Sequence, residues 1–270
     1  MHKKQTPFCL SRLQACPGIC ITRKEGEKLK QKVFSLEEVL DKIKDGQRIM
    51  FSDRHGELAA DEIIDGMIKK GVKDITAVAI TSGQPGMGLG RLVEENRVRR
   101  IETSHIGLNP TAINQMFAGK LDVEFIPQGT FAERIRAGGF GLGGVLTPTG
   151  IGTMVQEGKQ ILFLNGREYL LEKPIRADVA LLRASKADKA GNLYFRQTNH
   201  LCQDYMAMAA DLVIAEVEEL VEIGELNQEL IHVSAPVVDM LYVRKGEKRP
   251  MHPNWQRMID KIKAREAAEA

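Results

Sequence analysis

A chain of 270 residues with 43% hydrophobic and 27% charged side chains has an ordinary globular composition and enough length for a substantial core. No run approaches the roughly 20 apolar residues of a membrane span, so no membrane partner is expected. The net charge of +2 gives no footprint for nucleic acid, because seven Lys/Arg against two Asp/Glu in residues 1–30 leave 31 against 34 in the rest.

Residues 1–28, MHKKQTPFCLSRLQACPGICITRKEGEK, carry no sustained periodicity. Ser11, Arg12, Gln14 and Pro17 interrupt the apolar stretch that a secretory signal needs. Lys24-Glu25-Gly26 is what a purine-rich ribosome-binding sequence encodes, with two codons between it and Leu29. The expected native start is therefore residue 29, with 1–28 a non-native or disordered leader and 29–270 one functional domain. Cys9, Cys16 and Cys20 lie in that leader, and Cys202 is the single cysteine beyond it. A body without a disulfide suits a reducing compartment, so the cytoplasm is expected. Cys16-x3-Cys20 has no second ligand pair beside it, and no metal site is expected.

From residue 33 short β-rich runs alternate with helical spacing. Ser35 and Glu38 form a capping-box pattern before the stripe Leu36, Val39, Leu40 and Ile43, which Gly46 closes. A strand follows at Arg48–Phe51, then a helix carrying Ala60, Ile63, Ile64, Met67 and Ile68 up to Gly71. Residues 74–80 form a β-branched run of the kind buried on both faces of a sheet. The rhythm continues with a strand at 98–103, a helix at 110–118, a strand at 122–126 and a helix at 130–137. Strands near 160–164, 167–171 and 178–184, a helix at 201–210, a strand at 212–217 and a helix from Asn254 complete it. This order predicts an α/β fold: an open, largely parallel sheet with helices on both faces.

Glycines cluster at 83–90, directly after the buried strand, and at 138–152. Such segments allow positive φ and close approach, which makes each a candidate cradle for phosphate or thioester. Neither has the three-glycine dinucleotide fingerprint with its acidic residue about 20 positions on, and no Gly-Lys-Ser/Thr phosphate loop occurs.

Four longer blocks carry more information. FIPQGTFAERIRAGGFGLGG, LTPTGIGTMVQEGKQ, EKPIRADVALLRASKADKAGNLYFR and AADLVIAEVEELVEIGEL, in this order and spacing over about residues 33–243, resemble the α subunit of family I coenzyme A transferases. The likeness is greatest to the acetate/acetoacetate and butyrate/acetoacetate types. The resemblance implies a coenzyme A transferase-like fold and an enzyme that moves coenzyme A between short-chain acids such as acetoacetate, butyrate and acetate. It implies a coenzyme A thioester as substrate and no permanently bound cofactor. The nucleophilic glutamate of that family lies in a Ser-Glu-Asn-Gly motif of the β subunit, and this tetrapeptide is absent here. The catalytic acid is thus expected on a β partner and not in this chain.

On the α side, the resemblance points to Gln128 in Pro127-Gln128-Gly129-Thr130 as a residue facing the active site, with Gly129, Gly138 and Gly139 in the block around it. An amide donates to an acyl oxygen without neutralising the nucleophile. Two departures stand out. Ile80-Thr81 replaces an asparagine pair of the family, which leaves Thr81 as the hydrogen-bond donor. The family signature Asp-Gly, apolar triplet, Gly-Gly-Phe is kept only in Asp45-Gly46 and Ile49-Met50-Phe51, and Ser52-Asp53-Arg54 replaces the glycines. Arg54 is then a candidate partner for a substrate carboxylate or coenzyme A phosphate, and His55 for a substrate oxo group. The alternative is structural: Asp53 caps the following helix, and Arg54 pairs with Glu57 or the partner chain. His105 follows a strand and is expected to be structural. The altered turn also keeps open a non-catalytic binding or stabilising partner, and a sugar-phosphate isomerase-like enzyme on a related scaffold.

Overall fold

The computed structural model describes residues 31–54, 56, 58–246 and 253–269. The expectations for leader 1–28, for His55 and for Glu57 fall outside these residues. The chain runs α1 (Leu36–Leu40), β1 (Arg48–Phe51), α2 (Asp61–Lys70), β2 (Ile75–Val78), α3 (Gly88–Glu94), β3 (Val98–Thr103), α4 (Pro110–Phe117), β4 (Asp122–Phe125) and α5 (Gln128–Gly139). It continues through β5 (Val145–Thr147), β6 (Ile161–Leu164), β7 (Arg167–Glu172), β8 (Ala177–Asp188), β9 (Leu193–Tyr194), α6 (Gln203–Met208), β10 (Ala210–Val221), β11 (Met240–Val243) and α7 (Pro253–Glu269).

The main sheet has the order β11-β10-β8-β1-β2-β3-β4, every neighbour parallel, with β9 antiparallel at the end of β8. Alternate strand residues enter two separate cores, as the pleat requires. Ile49, Phe51, Ala77, Val179 and Ile214 meet α1 to α4 on one face. Met50, Val78, Ala180, Leu182 and Val213 meet α5 and α6 on the other. The open α/β architecture read from the sequence is the one observed. A second, antiparallel sheet β5-β7-β6 turns at Asn165 and Gly166, whose φ values of 51° and 78° suit a primed hairpin turn.

Local chemistry explains several ends. Ser35 and Glu38 close a reciprocal capping box on α1, with Ser35 N–H donating to the Glu38 carboxylate at 2.8 Å and Glu38 N–H to Ser35 Oγ at 3.2 Å. The 83–90 segment uses two of its glycines for packing. It turns into α3, and a Cβ on Gly90 would overlap the carbonyl of Gln84, while one on Gly83 would overlap the amide of Gly90. These glycines let two stretches of backbone pack directly on each other.

Neither α2 nor α3 carries a capping side chain at its own N-cap, which is Ala60 in one and Met87 in the other. Both acceptors come from elsewhere in the fold. Glu216 on β10, fully buried, accepts from the amides of Glu62 at 2.9 Å and Ile63 at 3.2 Å. Asp53, in the turn after β1, accepts from Leu89 at 2.7 Å. Asp53 therefore caps α3 and not the helix that follows it in the chain, which corrects the structural alternative drawn from sequence.

Candidate active site

The chain passes from β1 outward to β4 and then returns to β8 on the other side of β1. Loops leave the strand ends in opposite directions at such a reversal, and a crevice opens beyond the carboxyl ends of the strands. A cleft of about 600 Å³ lies there, lined by Arg54, Ile80, Thr81, Ser104, His105, Gln128 and Leu201. Arg54 follows β1, Ile80 and Thr81 follow β2, Ser104 and His105 follow β3, and Gln128 opens α5 after β4.

The floor is tied across strands. The carbonyl of Ile80 accepts from Thr103 Oγ1 at 3.0 Å, from Ser104 Oγ at 2.8 Å and from Ser104 N at 3.2 Å. Thr81 bridges His105 in parallel register, and Thr81 Oγ1 accepts from Gly83 N at 3.4 Å. That leaves the Thr81 hydroxyl proton to point elsewhere. Asn109 caps α4 through Ala112 N at 3.1 Å and donates to the Ser82 carbonyl at 3.3 Å. The polar side chains above this floor lie within three residues of the end of a parallel strand.

Arg54, His105 and Gln128 are exposed, and Thr81 is 5% exposed. Gln128 is the first residue of α5, a helix with no side-chain cap at Pro127. The amides of its first turn therefore face outward with the positive end of the helix dipole. A Cβ on Gly129 would meet nothing within 4 Å, so the space beside that helix end is open. The cleft wall formed by described residues holds no Asp or Glu.

Gly138 and Gly139 are not at the cleft. They close α5 at its far end, about 15 Å of helix rise from Gln128. A Cβ on Gly138 would overlap the carbonyl of Ile175, and one on Gly139 would lie 2.7 Å from Met208 Cβ. Their small size serves the packing of α5 on the segment before β8 and on the end of α6. Neither is among the residues that line the cleft. Composition does not distinguish a glycine that admits a ligand from one that admits another backbone.

Ser104, Ile80 and Leu201 are cleft residues that sequence reasoning did not select, and His105 is one to which it gave only a structural role. The available signal was position: each of Ile80, Ser104 and His105 lies within two residues of the end of a parallel strand. Leu201 comes from the stretch before α6, beside a stack of Phe195, His200 and His232 in which the two imidazole centroids are 4.1 Å apart. Phe195 N–H donates to His232 Nδ1 at 3.0 Å, and burial together with the nearby His200 lowers the His232 pKa. Burial pushes the Cys202 thiol up to about 11, which disfavours the thiolate at neutral pH. Among the described residues no helix is long and apolar enough to cross a membrane.

Comparison with known proteins agrees with this layout. The coenzyme A transferase family matches residues 33–244. The acetate CoA-transferase subunit alpha of Escherichia coli (strain K12) is 40% identical over 220 residues, 82% of this chain and 100% of that protein. The acetoacetyl-CoA:acetate/butyrate CoA transferase alpha subunit of Clostridium acetobutylicum is 41% identical over 201 residues, 74% of this chain and 92% of that one. The acyl-CoA transferase YdiF of E. coli O157:H7, solved as a thioester complex with CoA, shares the fold with a TM-score of 0.72 at 21% identity. That likeness covers 83% of this chain but 50% of the YdiF chain, so the present protein spans half the length of that enzyme. With its sheet, its strand-end cleft and matches over most of its length, the chain belongs to the coenzyme A transferase family and corresponds to the α subunit of its two-chain members.

Proposed function

We propose that this chain and a β subunit together move coenzyme A between short-chain acids, acetate, butyrate and acetoacetate among them, in the cytoplasm. The single observation that carries the reading is the character of the cleft. It gathers a cation and several hydrogen-bond donors, yet no carboxylate lines it among the described residues. Thioester exchange needs a nucleophile, so the acid comes from the partner, in the Ser-Glu-Asn-Gly motif that this chain lacks.

The chemistry follows from the groups present. The partner glutamate attacks the acyl thioester carbonyl, and negative charge develops on its oxygen. Collapse expels the coenzyme A thiolate and leaves an acyl-glutamyl anhydride. The thiolate then attacks the glutamyl carbonyl, giving glutamyl-CoA and the free acid, and a second acid reverses the sequence. The Gln128 amide and the first-turn amides of α5 donate to the developing oxyanion, and Gly129 leaves room for the acyl group to reach them. Thr81 donates a further hydrogen bond. Arg54 pairs with the carboxylate of the acceptor acid, and its planar fork suits that partner. Coenzyme A enters and leaves as substrate, with no resident cofactor.

The test is an assay of the chain mixed with its β subunit, supplied with acetoacetyl-CoA and either acetate or butyrate. The expected result is formation of acetyl-CoA or butyryl-CoA in step with loss of acetoacetyl-CoA. A folded pair that transfers to none of these acids contradicts the proposal.

A further inference from the structure

The turn that stands in place of glycines is fastened at one residue. Asp53 is 1% exposed, and its carboxylate reaches from the end of β1 to the first turn of α3. Oδ2 accepts from Leu89 N at 2.7 Å, and Oδ1 accepts from Gly56 N. The seat is shaped to this group. A Cβ on Gly88 would overlap Asp53 Oδ2 and lie 2.8 Å from Ala59 Cβ. A Cβ on Gly56, whose φ is +90°, would overlap Met87 Cβ, so the turn backbone rests directly on the residue that precedes α3. Burial pushes the Asp53 carboxyl up to about 6, against the two amides that favour its charge.

Arg54 comes next in the chain and lines the cleft. Ordering a guanidinium on a long stem costs conformational entropy, and fixing its backbone reduces what binding must supply. A residue that holds the backbone at 53 and 56 therefore sets where the guanidinium can reach.

We propose that Asp53 is a positioning residue: latched to α3 through Leu89 and Gly56, with Gly88 as its seat, it fixes the turn so that Arg54 meets the acceptor carboxylate. This inference rests on the coenzyme A transfer proposed above. Its signature is dependence, because Asp53 acts on substrate only through Arg54.

The experiment is a double-mutant cycle in the two-chain enzyme, reading KM for acetate and butyrate together with kcat. Asp53→Asn is expected to raise KM about tenfold or more while kcat stays within about threefold. In an Arg54→Ala background the same substitution is expected to shift KM by less than about twofold. Gly88→Ala provides an independent arm: the carboxylate remains but its seat is filled, and the KM rise is again lost without Arg54. An equal KM shift in both backgrounds overturns the inference, since Asp53 would then be a general prop of the fold. No shift in either background overturns it as well. A wild-type pair that transfers nothing defeats the functional reading itself, and the latch with it.

Discussion

Replacing Gln128 with Ala is expected to lower kcat of the two-chain enzyme by about 10²–10³-fold with little change in KM for the free acid, the loss typical of one removed oxyanion donor. The side chain lines the cleft from the first position of α5, where the uncapped helix end adds its own amides. In the proposed reaction a neutral amide suits this place, because it stabilises charge on the substrate oxygen without pairing the attacking carboxylate. Gln128→Glu preserves the shape but removes the donor and sets a negative charge beside the oxyanion. Its loss is expected to equal or exceed that of the alanine variant. Steady-state kinetics of both variants check this, and a kcat within about threefold of wild type would place the amide outside the reacting centre.

Arg183 is the position with the largest expected cost in stability. It lies on β8, is 2% exposed, donates to the Ala59 carbonyl at 2.9 Å and to Glu218 at 2.8 Å, and has Asp61 at 3.7 Å. It is also the sheet neighbour of buried Glu216. Arg183→Met removes this cation from beside buried Asp61 and Glu216, a change expected to cost about 3–5 kcal/mol. The pH dependence has a definite sign. Burial pushes Glu216 up to about 7, and Arg183 opposes that rise. A carboxyl with a raised folded pKa contributes stability below its unfolded value of 4.5 that is lost as pH climbs through 7. Without Arg183 the folded pKa rises further, so the loss grows. Urea unfolding of Arg183→Met against wild type is therefore expected to show a larger deficit at pH 8 than at pH 5. Equal deficits at both pH values would mean that Arg183 does not neutralise Glu216.

The same residues show what the sequence reveals about this fold and what it hides. The parallel sheet was legible because β-branched runs such as Ile75–Val78 alternate with amphipathic stretches such as Asp61–Lys70. The start of α1 was legible because its cap and its partner Glu38 lie three residues apart. Helix α3 was hidden, because Met87 is no capping residue and the glycines before it read as a loop. Its cap arrives from Asp53, 36 residues earlier, just as that of α2 arrives from Glu216, 154 residues beyond Glu62. Sequence rules for helix ends read neighbours, and here the acceptors are supplied by the tertiary fold.

The cleft was partly legible in the same sense. Gln128, Thr81 and Arg54 line the cleft, and Gly129 is the second residue of the helix that Gln128 opens. Gly138 and Gly139 belong to the same block but close the other end of that helix, away from the lining residues. Ser104 and Leu201 became visible only when β3 and the stretch before α6 were brought beside β2.

The central claim is that the attacking acid belongs to a second polypeptide while this chain shapes the cavity around the acyl group. The most direct measurement treats the two-chain enzyme with acetoacetyl-CoA and maps the coenzyme A adduct by peptide mass spectrometry, with hydroxylamine cleavage as the control. The account predicts a hydroxylamine-sensitive adduct on a glutamate of the partner and none on this chain; an adduct on any carboxylate between residues 31 and 270 would contradict it.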